Sequence, residues 1–504
     1  MGKGIKKIAA YFSAEDLTSG NVAKGILRFL IPIILSLFFQ QIYTLVDSII
    51  VGQTLGEVDV SAVNNATNIV YLLLNFASGA MSGFGVVVGE AVGSKDMAKT
   101  RRTIVNQIYL LAIMTAVLTV IGVFSIDPLL SLIGIAPSDS DPLRNEIYRS
   151  ARIYLSIIFG GMLTQIFYNH IVSVLRAKGD SFTPFCFLLV STALNICLDL
   201  LFIKIFYWGV AGAAAATVFA QGLAALACYV YAYWRYKDLR PTKEDFKWDG
   251  EINSSSLRNG LPLGFALSIL AVGIIVMQSA VNRFDISPSG AAVTDLPAEL
   301  GYGVGCKILN FFMVPMNALG MAMLNFHSQN LGARNLDRIK KGFISSLFIG
   351  LAIYLVVLAA SLLLTINGAY QYIFLSRDKI TEASITYGNA YIYVAMTPSC
   401  LLIFLLILRN TLQGLEIPLP NFLSGVAELL ARVIICVYLP MALNDMNPTN
   451  SESPLSSYIG AALGDPLAWL AATLVMVVPC FLAIYGKKNA IVRMEEKERK
   501  RKPS

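Results

Sequence analysis

Two aspartates stand inside runs that otherwise carry no charge. Asp47 follows Gln40-Gln41-Ile42-Tyr43-Thr44-Leu45-Val46, and Asp199 follows Leu194-Asn195-Ile196-Cys197-Leu198. A charge at the centre of a bilayer costs about 2.5–3.5 kcal/mol on insertion scales, so each calls for a reason. Asn195 and Asp199 are four residues apart and share one face of a helix. Thr217 lies in a run of small residues over 209–222 that lets helix backbones approach closely. Two carboxylates, an amide and a hydroxyl could form an oxygen cage for Na⁺. They could equally form a carboxylate pair that holds a proton, because two close acids in a low dielectric resist ionising together. A structural reading stays open beside these: Asp47 as a residue of the outer interface, Asn195 as a bond between helices.

Fewer charges elsewhere look functional. Glu428 and Arg432 are four apart and read as a self-neutralising structural pair. Lys307 has no acid near it in sequence; it either pairs with Glu428 or faces a cavity. Gln40 and Tyr43, two turns and one turn before Asp47, are candidate cavity walls together with Lys307. Arg409 sits where it can snorkel to the interface. His170 and His327 read as structural. The seven cysteines all fall in predicted helices without metal-ligand spacing and read as small apolar residues.

The elements that hold these residues are membrane spans. The chain has 504 residues, 56% of them hydrophobic and only 14% charged. A soluble protein would carry about 25% charge. Apolar stretches long enough to cross a bilayer recur at 26–50, 61–90, 104–126, 151–174, 183–206, 209–234, 259–282, 300–326, 343–366, 386–411, 418–440 and 465–485, which predicts twelve helices. The first is too long for a signal peptide core. Lys and Arg gather on one side: Lys3, Lys6, Lys7, Lys24 and Arg28, then Lys95, Lys99, Arg101 and Arg102, then 235–258, then Arg334 to Lys341, then the tail. Acids such as Glu57, Asp59, Asp139, Asp141, Asp285, Asp295, Asp445 and Glu452 dot the other side. The bias predicts both ends on the cytoplasmic side of the membrane. It also explains the net charge of +7 without nucleic acid as a partner.

The chain repeats itself. Leu27-Arg28-Phe29-Leu30-Ile31-Pro32 matches Leu257-Arg258-Asn259-Gly260-Leu261-Pro262 at an offset of 230, and Gly93-Ser94-Lys95-Asp96 matches Gly332-Ala333-Arg334-Asn335 at 239. Leu175-Arg176 ahead of Pro184 matches Leu412-Gln413 ahead of Pro420. The expected organisation is a cytoplasmic N-terminus over 1–25, an N-lobe of six helices over 26–234, a linker over 235–258, a C-lobe over 259–485 and a basic tail over 486–504. Two parallel six-helix lobes are a transporter plan. Two histidines, no His-Glu-x-x-His and no Gly-x-Ser-x-Gly argue against a membrane enzyme. A flippase for a lipid-linked sugar or another amphiphilic lipid shares the plan, but it would want several intramembrane bases.

An ordered set of motifs carries a resemblance over essentially the whole chain: Pro32 through Leu55, Gly93-Ser94-Lys95-Asp96, Leu175-Arg176-Ala177-Lys178-Gly179-Asp180-Ser181, Leu194-Asn195 to Asp199, Gly209-Val210-Ala211-Gly212-Ala213-Ala214 and Gln329-Asn330-Leu331-Gly332-Ala333. Together they resemble the multidrug and toxic compound extrusion (MATE) family, in its DinF-like branch. The resemblance implies two six-helix bundles around a V-shaped cavity. It implies export of organic cations and other drugs by antiport with H⁺ or Na⁺, by a monomer and without a further cofactor. It implies a cation site at Asp47, Asn195, Asp199 and Thr217. The chain departs from the family in three ways. Spans 7 and 10 lack the acids that another branch uses there, Glu416 stands where a glycine is expected, and the insertion over 284–298 is long.

Overall fold

A computed structural model describes residues 15–137, 141–285, 296–443 and 454–501. Lys3, Lys6, Lys7, Asp139, Asp295, Asp445, Glu452 and most of the 284–298 insertion lie outside them. The described residues are helical throughout, with no strand. In order come α1 (Val22–Thr54), α2 (Glu57–Gly93), α3 (Met97–Leu132), α4 (Pro142–Gly160), α5 (Met162–Ala177), α6 (Phe182–Asp199), α7 (Gly209–Arg235) and α8 (Gly250–Val281). Then follow α9 (Pro297–Gly332), α10 (Leu336–Leu364), α11 (Glu382–Met396), α12 (Ser399–Gly414), α13 (Leu419–Leu443), α14 (Pro454–Ala462), α15 (Gly464–Tyr485) and α16 (Ala490–Arg501).

Ten helices or joined helices among the described residues are long and apolar enough to cross a membrane. The pairs α4–α5 and α11–α12 bend by 47° at a short break, and each counted as one span brings the total to twelve. Large apolar side chains cover the outside. Phe124 is 80% exposed, Leu132 82% and Phe348 71%. In water such a surface would aggregate; against lipid tails it costs nothing.

By contacts the chain falls into two units. One holds the chain up to Ser268 together with Ser328–Asn335; the other holds Ile269–His327 and the chain from Leu336 onward. In the first unit, small residues on α2 explain the packing. A Cβ on Gly79 would stand 2.7 Å from the Leu263 carbonyl oxygen of α8, and one on Gly83 would strike the Asn259 carbonyl. Near the end of α2, a Cβ on Gly93 would strike the Gln329 carbonyl, and one on Gly332 would strike the Glu90 carbonyl.

The repeated motifs fold alike. After α2 the chain turns through Lys95 at φ 59°, with the Lys95 amide bonded to the Val92 carbonyl at 3.0 Å. After α9 it turns through Arg334 at φ 54°, with the Arg334 amide bonded to Leu331 at 2.9 Å. Asp96 then caps α3 by accepting from the Lys99 amide at 2.9 Å. The segment before α1 is strapped across this end. Leu17 donates its amide to Gln329 Oε1 at 3.2 Å and accepts from Asn330 Nδ2 at 3.1 Å. Gln329 also donates to the Ala177 carbonyl at 2.7 Å, and the Glu15 amide donates to Gly179 at 3.0 Å.

Candidate functional site

Asp47 comes from α1, Asn195 and Asp199 from the last turn of α6, and Thr217 from α7. α6 packs on both α1 and α7. The small side chains of α7 make that possible: a Cβ on Gly212 would stand 3.2 Å from Phe202, and Ala213, Ala214 and Ala216 are buried beside it. Past Asp199 the helix widens into a π-type turn over Leu200–Ile205, an irregularity that recurs at functional sites.

The Asp47 and Asp199 carboxyls are close enough for their charges to interact. Asp199 is fully buried and Asn195 is 2% exposed. Both carboxylate oxygens of Asp199 and both polar atoms of Asn195 have no hydrogen-bond partner among the described residues. Each such orphan costs about 1–3 kcal/mol. Two ionised carboxylates at this range repel; a proton shared between them, or a cation beside them, removes the repulsion. Thr217 Oγ1 donates to the Ala213 carbonyl at 3.2 Å, leaving its lone pairs as acceptors. These donors are all oxygen, which suits a hard cation such as Na⁺. Among the described residues, no group of three or more His, Cys, Asp or Glu converges as a transition metal would need.

Two tyrosines complete the site. Tyr43, expected as a cavity wall, brings its hydroxyl beside Thr217 and close to both aspartates. Tyr154 of α4 lies close to Asp47 and Asp199, with its hydroxyl toward Thr67 on α2. Sequence reasoning missed Tyr154: it is one of 22 tyrosines and nothing in its neighbours sets it apart. One turn beyond the aspartates, Val51, Val63, Ile203, Val210 and Ala213 form an apolar cluster. That cluster keeps water from one side of the site and so strengthens its electrostatics. Gln40 is exposed on α1, two turns before Asp47.

The second unit carries a different set of charges. Glu428 accepts from Arg409 at 3.0 Å and from Arg432 at 3.3 Å. Arg432 continues to Asp465 at 2.9 Å, and Asp465 accepts from the Tyr391 hydroxyl at 2.8 Å. The structural pair is therefore part of a buried network of two arginines and two acids. Arg409 does not snorkel, because the Glu428 carboxylate holds it in the interior at 6% exposure. Glu428 does not pair with Lys307, because both of its oxygens are taken by arginines. Asp465 was hidden from sequence reasoning at the edge of the last span. Lys307 is exposed on α9, its ammonium 5.2 Å from the centre of the Phe374 ring. Both histidines are fully buried. His170 bonds to Tyr229 at 2.7 Å and Gln107 at 3.0 Å, and His327 to the Met323 carbonyl at 2.9 Å.

A family model described as MatE matches residues 32–201 and 300–438. The chain belongs to the MatE family. Like other MatE proteins it is a multi-pass membrane transporter and not an enzyme, and the family is one of multidrug efflux. Two similar MatE proteins come from Bacillus subtilis strain 168. The probable multidrug resistance protein YoeA is 30% identical over 329 residues, covering 64% of this chain and 67% of its own. The probable multidrug resistance protein YpnP is 30% identical over 326 residues, covering 65% and 69%. A solved multidrug resistance MATE family transporter in an outward-facing conformation shares the fold, with a TM-score of 0.79 at 20% identity over 97% of this chain and 99% of that one.

Proposed function

We propose that this MatE transporter, of the DinF-like branch, exports amphiphilic organic cations and related drugs by antiport with H⁺ or Na⁺. The coupling ion binds at Asp47, Asn195, Asp199 and Thr217. One observation carries the reading: among the described residues, four buried polar atoms of Asn195 and Asp199 have no hydrogen-bond partner, next to a second carboxyl. A site that leaves such groups orphaned is built for an ion that comes and goes. From the outer side, a proton or Na⁺ neutralises the carboxyl pair. That changes the packing of α1, α6 and α7 and weakens the hold on a cationic substrate, which leaves. The loaded carrier then turns inward and releases the ion. Each pH unit supplies about 1.4 kcal/mol per proton, and each 100 mV about 2.3 kcal/mol per charge. The protein works as a monomer in the bacterial cytoplasmic membrane with both ends inside, as the basic turns favour.

A flippase for a pyrophosphate-linked lipid is the weaker reading. Arg409 and Arg432 are already bound by Glu428 and Asp465, which leaves such a headgroup little beyond Lys307.

The test is efflux of a fluorescent lipophilic cation from proteoliposomes under an imposed pH gradient, then a Na⁺ gradient. Asp199→Asn is expected to abolish gradient-driven movement and leave the fold intact by circular dichroism. Unchanged coupled efflux in Asp199→Asn would overturn the site; no movement in the unsubstituted protein under either gradient would overturn the antiport.

A further inference from the structure

Lys307 is a charged residue inside a membrane-crossing helix, and no acid among the described residues pairs with it. It sits ten residues into α9, about 15 Å along the helix. It is exposed, as are Asn310 and Asn317 on the same helix. Spacings of three and seven put all three on one face. A bare ammonium turned to lipid is costly, so a face bearing Lys, Asn and Asn meets water. The ammonium lies over the Phe374 ring, and that contact uses none of its three N–H donors. Among the described residues it has no ion pair and no hydrogen bond, whereas Arg409 and Arg432 are both neutralised by acids at 2.9–3.3 Å.

The internal repeat says which face this is. The offset of 239 that sets Gly93 on Gly332 sets Asn68 on Lys307. In α2 and α9 alike, the polar residue precedes the glycine by 25 residues, which is seven turns, and so shares its side of the helix. On α2 that side packs through Gly79, Gly83 and Gly93, and further along it exposes Asn68. The repeat thus exposes a polar residue on both helices and gives a charge to only one.

We propose that Lys307, with Asn310 one turn on, is a substrate-recognition point for an anionic group, so that the preferred substrates are amphiphilic organic cations that also carry a carboxylate. Phe374 holds the ammonium in place and offers a surface for an aromatic body. The inference rests on the exporter reading for its route but not for its binding chemistry.

The probes are a rhodamine with a free carboxylate and its methyl ester, which differ in that charge and one methyl group. Binding to the purified protein is read by fluorescence anisotropy, and efflux in proteoliposomes by gradient-driven release. Lys307→Gln is expected to weaken binding of the carboxylate dye about tenfold or more, as loss of a charge-assisted hydrogen bond should. The ester should change less than twofold, and Lys307→Arg should restore the preference. Equal losses for both dyes, no loss for either, or no binding of the carboxylate dye to the unsubstituted protein would overturn the proposal. Charge-selective binding without gradient-driven efflux would uphold it and reject the antiport reading instead.

Discussion

Glu416 occupies a backbone conformation that its counterpart leaves to glycine. After α5 the chain turns through Gly179 at φ 89°, with the Gly179 amide bonded to Arg176 and the Asp180 amide to Leu175, each at 2.9 Å. After α12 it turns through Glu416 at φ 57°, with its amide bonded to Gln413 at 3.1 Å and the Ile417 amide to Leu412 at 2.9 Å. The turn is the same, so the glutamate accepts a penalty of about 1 kcal/mol against glycine. Its ion pair with Lys497 at 3.4 Å returns no more than about 1 kcal/mol. Glu416→Gly is therefore expected to leave the apparent melting temperature unchanged or slightly higher. Gly179→Ala should lower it by several degrees, because the new methyl strikes the Glu15 carbonyl as well as straining φ. A thermal scan showing similar losses for both would reject the argument. The departure at 416 was legible in the sequence because a repeat and a motif disagreed there. Asp47 and Asp199 were legible for a simpler reason: charge in an apolar run stands out. Tyr154 and Thr67 were not, since a tyrosine or threonine in a span has too many ordinary uses to mark a site.

At the scale of elements, the spans were legible but their lengths and breaks were not. The first apolar run reads as 26–50 and the helix runs Val22–Thr54, because polar residues continue a helix past the hydrocarbon. The break between α11 and α12 falls at Pro398, a residue that announces it; the break between α4 and α5 falls at Gly161, which does not. The polar stretch after α7 folds onto α3. Asp245 accepts from Arg101 at 3.0 Å, Asn106 donates to the Lys247 carbonyl at 3.1 Å and accepts from the Asp249 amide at 2.8 Å, and Tyr109 donates to Phe246 at 3.1 Å. Burial works against the charged form of Asp245, but hydrogen bonds from Thr242 and Arg101 outweigh it and hold the carboxyl below its ordinary value of 3.8. A depressed carboxyl stabilises fully above that ordinary value and loses its contribution as pH falls through the lower one. At neutral pH the tether is complete. Asp245→Asn is expected to speed tryptic cleavage at Lys243 or Lys247 about tenfold. An unchanged digestion rate would mean that the other bonds hold the segment by themselves.

For the whole molecule the internal repeat is the organising fact, and the sequence disclosed it through Gly93-Ser94-Lys95-Asp96 and Gly332-Ala333-Arg334-Asn335. What it did not disclose is which copies touch. Gly93 lies on the carbonyl of residue 329 and Gly332 on the carbonyl of residue 90, and 329 and 90 differ by the same 239. Each glycine thus meets the counterpart of its own neighbour, a reciprocal contact. Sequence similarity reports the repeat but carries no information about that contact. Gly332→Ala would wedge this end apart. A cysteine introduced in place of the fully buried Ser328 is expected to react with a maleimide at least about tenfold faster in Gly332→Ala than beside the native glycine. Equal rates would show that the end tolerates a methyl. The strap before α1 adds a matter of timing. Leu17 is bonded to Gln329 and Asn330, the first of these 312 residues later in the chain. At about 5–20 residues per second of synthesis, the strap waits roughly 15–60 s for its partners. Through that interval the beginning of the protein has been made but has nothing to hold, and the ribosome must deliver nearly all of α9 before this end can shut.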